Sequence, residues 1–137
     1  MIPNNYYRTS IKALVLDENK KFLLFKEASG FWELPGGGLD FGERVKDCLI
    51  RELKEEAGLE VVWANQRPSY FITVINNDNV WKSMVIYETK IKDLDFQVSD
   101  ECIEIGFFTI EEAKKEKLYF ATEAFIKEYD SNNHQLS

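Results

Sequence analysis

Apolar and β-branched side chains crowd residues 10–16 (Ser-Ile-Lys-Ala-Leu-Val-Leu) and 21–26 (Lys-Phe-Leu-Leu-Phe-Lys), with Asp17-Glu18-Asn19-Lys20 between them. Two such runs around a short polar break predict a hairpin. A further short apolar piece, residues 32–34, leads into Pro35-Gly36-Gly37-Gly38, which is expected to interrupt any strand or helix interior. From Arg44 to Ala57 the chain has no Gly or Pro and its apolar residues recur at helical spacing, so a helix is expected there, stopped by Gly58. Residues 59–63, 70–75, 80–91 and 103–108 return to a β pattern, with Asn76-Asn77-Asp78-Asn79 as a turn. Thr109-Ile110-Glu111-Glu112 has capping-box spacing and should open a short helix, and a second helical pattern covers about residues 122–129. Residues 131–137, which include the sole histidine, His134, read as a frayed, flexible tail. The expectation is one α+β domain over residues 1–137.

Composition narrows the class. The 137 residues are 45% hydrophobic, enough for one core. No stretch reaches the roughly 18 uncharged residues of a membrane span, and the N-terminal residues lack the pattern of a signal peptide. Cys48 and Cys102 make no disulfide scaffold, and no Cys/His cluster has zinc-ligand spacing, so a cytoplasmic setting is expected. The net charge of −7 is uneven: residues 1–92 balance at 13 acidic and 13 basic, while residues 93–137 carry 11 acidic and 4 basic. A solvated helix surface accounts for that acidic stretch. No basic stripe tracks a nucleic-acid backbone, so neither nucleic acid nor membrane is expected as a partner. An anionic substrate would be repelled unless a metal ion intervened.

The predicted helix over 44–57 carries one feature that folding alone does not require. With Val45 as zero, Leu49, Leu53 and Ala57 fall at about 40°, 80° and 120°, which defines the buried stripe. Glu52 and Glu56 fall at about −20° and 20°, beside or within that stripe, and Glu55 at about −80°. Buried carboxylates need cations or a cleft. Arg51 can neutralise only part of the charge of Glu52, Glu55 and Glu56. A structural salt-bridge network is one account, and hard oxygen ligands for Mg²⁺ or Mn²⁺ are the other.

The same residues carry a family resemblance. Gly37, five residues, Glu43, seven residues, then Arg51-Glu52-Leu53-Lys54-Glu55-Glu56-Ala57-Gly58-Leu59 reproduces the Nudix box without a departure, at nine fixed positions over 23 residues. Trp32-Glu33-Leu34-Pro35-Gly36-Gly37-Gly38 resembles the usual approach to that box. The resemblance implies the Nudix fold, a mixed β-sheet packed between α-helices as an α/β/α sandwich. It also implies hydrolysis of a nucleoside diphosphate linked to another moiety, by a metal-activated water, with Mg²⁺ as cofactor and Mn²⁺ as substitute. Under it the Gly36 carbonyl, Glu52, Glu55 and Glu56 are metal ligands, and Gly37 and Gly38 let the backbone approach phosphate oxygens. Arg51 and Glu43 would hold the carboxylates in register. Glu55, or Glu101 in a late loop, would act as base. Glu101 has a solvated loop as its plain alternative.

Other features weigh less. Gly37 to Arg44 lacks the ending of a phosphate-binding P-loop. Cys48 reads as a small buried residue rather than a nucleophile. Two of the abundant aromatics, among them Tyr6, Tyr7, Phe41, Phe71, Trp81 and Tyr119, could sandwich a base, although most should be core. Three functional classes remain: a hydrolase, a nucleotide-sensing module without turnover, and last an isomerase of prenyl diphosphates. The proline expected near Val74 in ADP-ribose-type enzymes is absent, and the small domain leans toward a mononucleotide substrate. The expected state is monomer or homodimer.

Overall fold

A computed structural model describes residues 5–136. The start of the N-terminal stretch and the tail's last residue, Ser137, lie outside the described residues. The elements in order are β1 (Arg8–Leu14), β2 (Phe22–Lys26), β3 (Trp32–Glu33), β4 (Gly36–Gly38), α1 (Val45–Ala57), β5 (Val61–Ala64), β6 (Tyr70–Ile75), β7 (Trp81–Ile91), β8 (Glu104–Phe108), α2 (Ile110–Ala113) and α3 (Phe120–Glu128). A single 3₁₀ turn, Ser131–Asn133, follows.

The main sheet runs β4-β1-β7, with β5 and β6 both pairing along the outer edge of β7. β1 and β7 are parallel, from Arg8↔Lys82 to Leu14↔Glu88, and the remaining pairs are antiparallel, so the sheet is mixed. A second sheet has the order β3-β2-β8. Side chains alternate across the strands into two cores. Ile11, Ala13, Leu23 and Phe25 pack with Cys48, Leu49, Leu53 and Ala57 of α1, while Leu14, Phe22, Leu24, Met84 and Ile86 pack with Phe125 and Ile126 of α3. Strands covered on both faces must be apolar at nearly every position, which explains the unbroken runs in β1 and β2.

Three expectations change. The hairpin exists only at its tip, where Leu16 bridges Phe22 and the Leu23 N–H donates to the Val15 carbonyl. Beyond it the two strands part into different sheets, because each finds a longer partner, β7 for one and β8 for the other. Gly36–Gly38 does form a strand, antiparallel to β1 with Ile11↔Gly37. An edge strand needs only backbone pairing, which glycines supply.

The tail is not frayed over its described part. His134 is 2% exposed, with Nε2 2.8 Å from the Tyr70 hydroxyl, Nδ1 against the Glu88 carboxylate, and its ring stacked on Tyr129. A histidine that finds a carboxylate, a phenol and an aromatic face has enough partners to anchor an otherwise polar segment.

Candidate functional site

The site is built where α1 lies against β4 and β1. α1 begins without a side-chain cap at Arg44 and ends at Gly58, whose φ of 65° is the left-handed conformation expected of a helix stop. Its buried residues are Cys48, Leu49, Leu53, Glu56 and Ala57, so the apolar stripe continues into a carboxylate as its spacing predicts.

Glu56 is 6% exposed and its Oε1 accepts the Gly36 N–H at 2.8 Å. Burial pushes its carboxyl up to about 8. One turn earlier, Glu52 lies against the glycine strand. A Cβ on Gly37 would sit 2.6 Å from Glu52 Oε2, so a side chain there would push that carboxylate from its place beside the backbone. Burial raises the Glu52 pKa as well, against the lowering effect of Arg51.

Arg51 gathers the remaining groups. Its Nε and Nη2 donate to the two oxygens of Glu43 at 2.8 and 2.9 Å, and Nη1 donates to Glu52 at 2.8 Å and to Glu55 at 3.3 Å. Nη2 also donates to the Gly38 carbonyl at 3.0 Å. Hydrogen bonding to this guanidinium holds Glu43 down at about 2. Gly36, Gly37, Gly38, Glu43, Arg51, Glu52, Glu55 and Glu56 are thus brought together. Glu101 stands apart: it is exposed, on a loop that Ser99 ties to the end of α1 through an Oγ–H···O bond of 2.5 Å to the Glu56 carbonyl.

Among the described residues no three carboxylates, thiols or imidazoles are gathered into a ready-made metal cage. Arg51 and the Gly36 N–H hold the carboxylates instead. The donor set still fits a hard divalent cation: two poorly solvated carboxylates one turn apart, whose charge burial disfavours, and a backbone cradle that a Cβ would fill.

Sequence reasoning missed one member. Lys12 is 4% exposed, and its Nζ donates to Glu33 at 2.7 Å, to the Gly36 carbonyl at 3.0 Å and to the Leu34 carbonyl at 3.3 Å. Burial acts to lower its pKa, but the charges of Glu33 and Glu56 outweigh it and hold the ammonium form. A small recess beside it is lined by Ser10, Glu33, Tyr119 and Phe120. The available signal was a lysine inside an apolar run with a glutamate before Leu34-Pro35. Cys48 is fully buried, and burial pushes its thiol up to about 12, which agrees with a packing role.

A mixed sheet thus lies between α1 and α3, with a glycine strand and an arginine–carboxylate cluster along its edge. The profile of the NUDIX domain matches residues 6–129, and the chain belongs to that family. The fold is shared with the MutT protein of Methanosarcina mazei, at a TM-score of 0.78 and 23% identity over 98% of this chain and 100% of that one. It is shared also with an ADP-ribose pyrophosphatase of Streptococcus suis, at a TM-score of 0.61 and 29% identity over 88% of this chain and 89% of that one. An RNA pyrophosphohydrolase of Ruthia magnifica is 42% identical over 60 residues, 43% of this chain and 34% of the relative. The chain spans about half or less of the length of the curated relatives it matches.

Proposed function

We propose that this chain is a Mg²⁺- or Mn²⁺-dependent hydrolase of phosphoanhydride bonds in a nucleoside triphosphate or another nucleoside diphosphate derivative. The observation that carries the reading is the placement of Glu52 and Glu56, both poorly solvated, against the glycine strand and beside the Arg51 fork. The complete box and the pyrophosphohydrolase and pyrophosphatase names of its relatives support it.

When bound, the divalent cation screens the polyphosphate charge and lowers the pKa of water near phosphorus. Glu52 and Glu56 would hold it, with Glu55 as a further ligand; the Gly36 carbonyl could join them only through the lone pair that Lys12 leaves open. Arg51, anchored by both oxygens of Glu43, orients Glu52 and Glu55 from one side. Gly37 and Gly38 give phosphate oxygens access to the backbone. Glu101, on its exposed loop, is assigned to the proton step.

The test is release of pyrophosphate, or of phosphomonoesters made visible by an added phosphatase, from a panel of nucleoside triphosphates, nucleotide sugars, dinucleotides, ADP-ribose and RNA, with Mg²⁺. Glu52→Gln and Glu56→Gln should each lose about 100-fold or more in turnover while far-UV circular dichroism is unchanged. Glu55→Gln should raise the Mg²⁺ concentration for half activity, whereas Glu101→Gln should lower kcat at an unchanged Mg²⁺ requirement. Turnover near wild type in either of the first two variants would remove that residue from the site. No turnover of any substrate by the wild type would refute the reading.

A further inference from the structure

The main sheet ends on one side at β6, and among the described residues nothing pairs with its outer edge. Its sequence, Tyr-Phe-Ile-Thr-Val-Ile, carries no charge, proline, glycine or bulge, the usual devices that keep a free edge from pairing. By contrast, β5 on the same side of β7 has four residues and a bulge.

Which backbone groups point outward follows from the hairpin. The Asn76 N–H donates to the Val80 carbonyl, so this pair is hydrogen-bonded. Hydrogen-bonded and non-bonded pairs alternate along an antiparallel ladder. Val74 and Ile72 therefore direct their backbone groups toward Lys82 and Met84 of β7, and Phe71, Thr73 and Ile75 direct theirs to the free edge. The same three residues have exposed side chains on one face of the sheet, with Phe71 66% exposed. Trp81, the register partner of Ile75, and Tyr7, packed edge-on to it at 6.1 Å, extend that apolar surface inward.

We propose that the chain forms a two-fold homodimer by antiparallel pairing of β6 with β6 of a second copy, the axis passing through Thr73. The edge is self-complementary in this register. Thr73 faces Thr73, and Phe71 faces Ile75 of the second copy, so each exposed apolar side chain meets another. The three pairs are all of the hydrogen-bonded kind and make about six backbone bonds. No like charges are brought together along β6. Of the exposed apolar side chains, Phe71 and Ile75 lie on β6 itself and offer on the order of 100 Å² each beside the strand backbone. That is less than the roughly 800 Å² per partner of a standard specific interface, so the expected dimer is a weak one.

The experiment measures mass by sedimentation velocity from low to high micromolar protein, together with cysteine crosslinking. Paired Thr73 residues would have Cα atoms about 5.5 Å apart, within the disulfide range. Thr73→Cys should therefore crosslink to a dimer under mild oxidation, and Asn77→Cys, in the turn, should not. The native Cys48 and Cys102 are buried and do not compete. Ile75→Lys should weaken dimerisation by about tenfold or more with circular dichroism unchanged. Amide exchange at Phe71, Thr73 and Ile75 should slow as wild-type concentration rises. These readouts are independent of whether the chain hydrolyses any substrate. A wild type that stays monomeric at high micromolar concentration would overturn the proposal. So would a dimer indifferent to Ile75→Lys that fails to crosslink through Thr73→Cys, or a monomer whose β6 edge binds a peptide or RNA instead.

Discussion

Two cations grip the same three-residue strand. Arg51 reaches the Gly38 carbonyl from α1, and Lys12 reaches the Gly36 carbonyl from β1, each at 3.0 Å. They hold it under different physical conditions. Arg51 is partly exposed and spreads its fork over three glutamates, so its geometry is set by planarity and by several shared bonds. Lys12 is buried and stands against one close carboxylate, Glu33, where the pair is screened little and neither member can turn to water. Charge clusters on adjoining elements can thus divide their labour. Under the proposed function, the exposed one would rearrange around a ligand and the buried one would fix the strand that the ligand meets.

The largest expected effect falls on the buried member. Lys12→Met removes the cation but leaves Glu33 and the Gly36 carbonyl without their partner, and breaking a buried pair in this way costs about 3–5 kcal/mol. Urea unfolding should show it as a lower midpoint. The double variant Lys12→Met/Glu33→Gln should recover much of the loss, because the uncompensated charge is gone. A single variant as stable as wild type would mean that the ion pair is not what fixes β4.

The Arg51 half of this comparison was legible in the chain and the Lys12 half was not. The motif from Gly37 to Leu59 is local, and helical spacing alone put Glu52 and Glu56 beside or within the buried stripe, as the burial of Glu56 bears out. Lys12 lies between Ile11 and Ala13 in an apolar run, and nothing local to it names a partner. It is buried because α3 and the segment around Glu33 cover that face, and the Lys12–Glu33 pair spans 21 residues of chain. Long-range pairing hid the other features too. The parallel β1–β7 match joins residues some 74 apart in sequence, such as Thr9 and Ser83. His134 sits among serines and asparagines that give no hint of the Tyr70–Glu88 recess it fills.

The next effect concerns the fork. Arg51→Lys keeps the charge but can meet only one or two of the groups that the guanidinium now holds, so Glu43 and Glu52 lose their common anchor. Loss of such a supporting contact is expected to cost about 10- to 100-fold in metal affinity or activity. Stability should change by less than about 1 kcal/mol, because the ion pairs are partly exposed. Thermal melting with and without millimolar Mg²⁺ checks the metal side: the wild type should gain stability on adding it, and Arg51→Lys should gain less. Equal gains would show that the fork does not prepare the carboxylates.

The smallest effect is a pH slope at the rim of the buried cluster. Burial, then hydrogen bonding and repulsion from Glu33, raise Glu27 to about 7, so where Glu27 is protonated it can donate to the Glu33 carboxylate. Burial alone would raise Glu33 as well, but Lys12 and that donated bond hold it below the ordinary carboxylate range. The folded chain therefore keeps the Glu27 proton at pH values where the unfolded chain has released it. Its contribution is fully present below about 4.5, the unfolded value, and is lost as pH rises through about 7. Glu33 has the opposite sign and loses its contribution as pH falls through its lowered value. Glu27→Gln keeps a neutral donor at every pH, so the stability of wild type relative to this variant should decline between about pH 5 and pH 8. Glu56, also raised by burial, is present in both proteins and cancels in their difference. The decline should be small, because Glu27 is partly exposed and solvent screens its neighbours. Urea midpoints of the two proteins at several pH values measure it, and a difference that stays constant over that range would show that Glu27 and Glu33 do not share a proton.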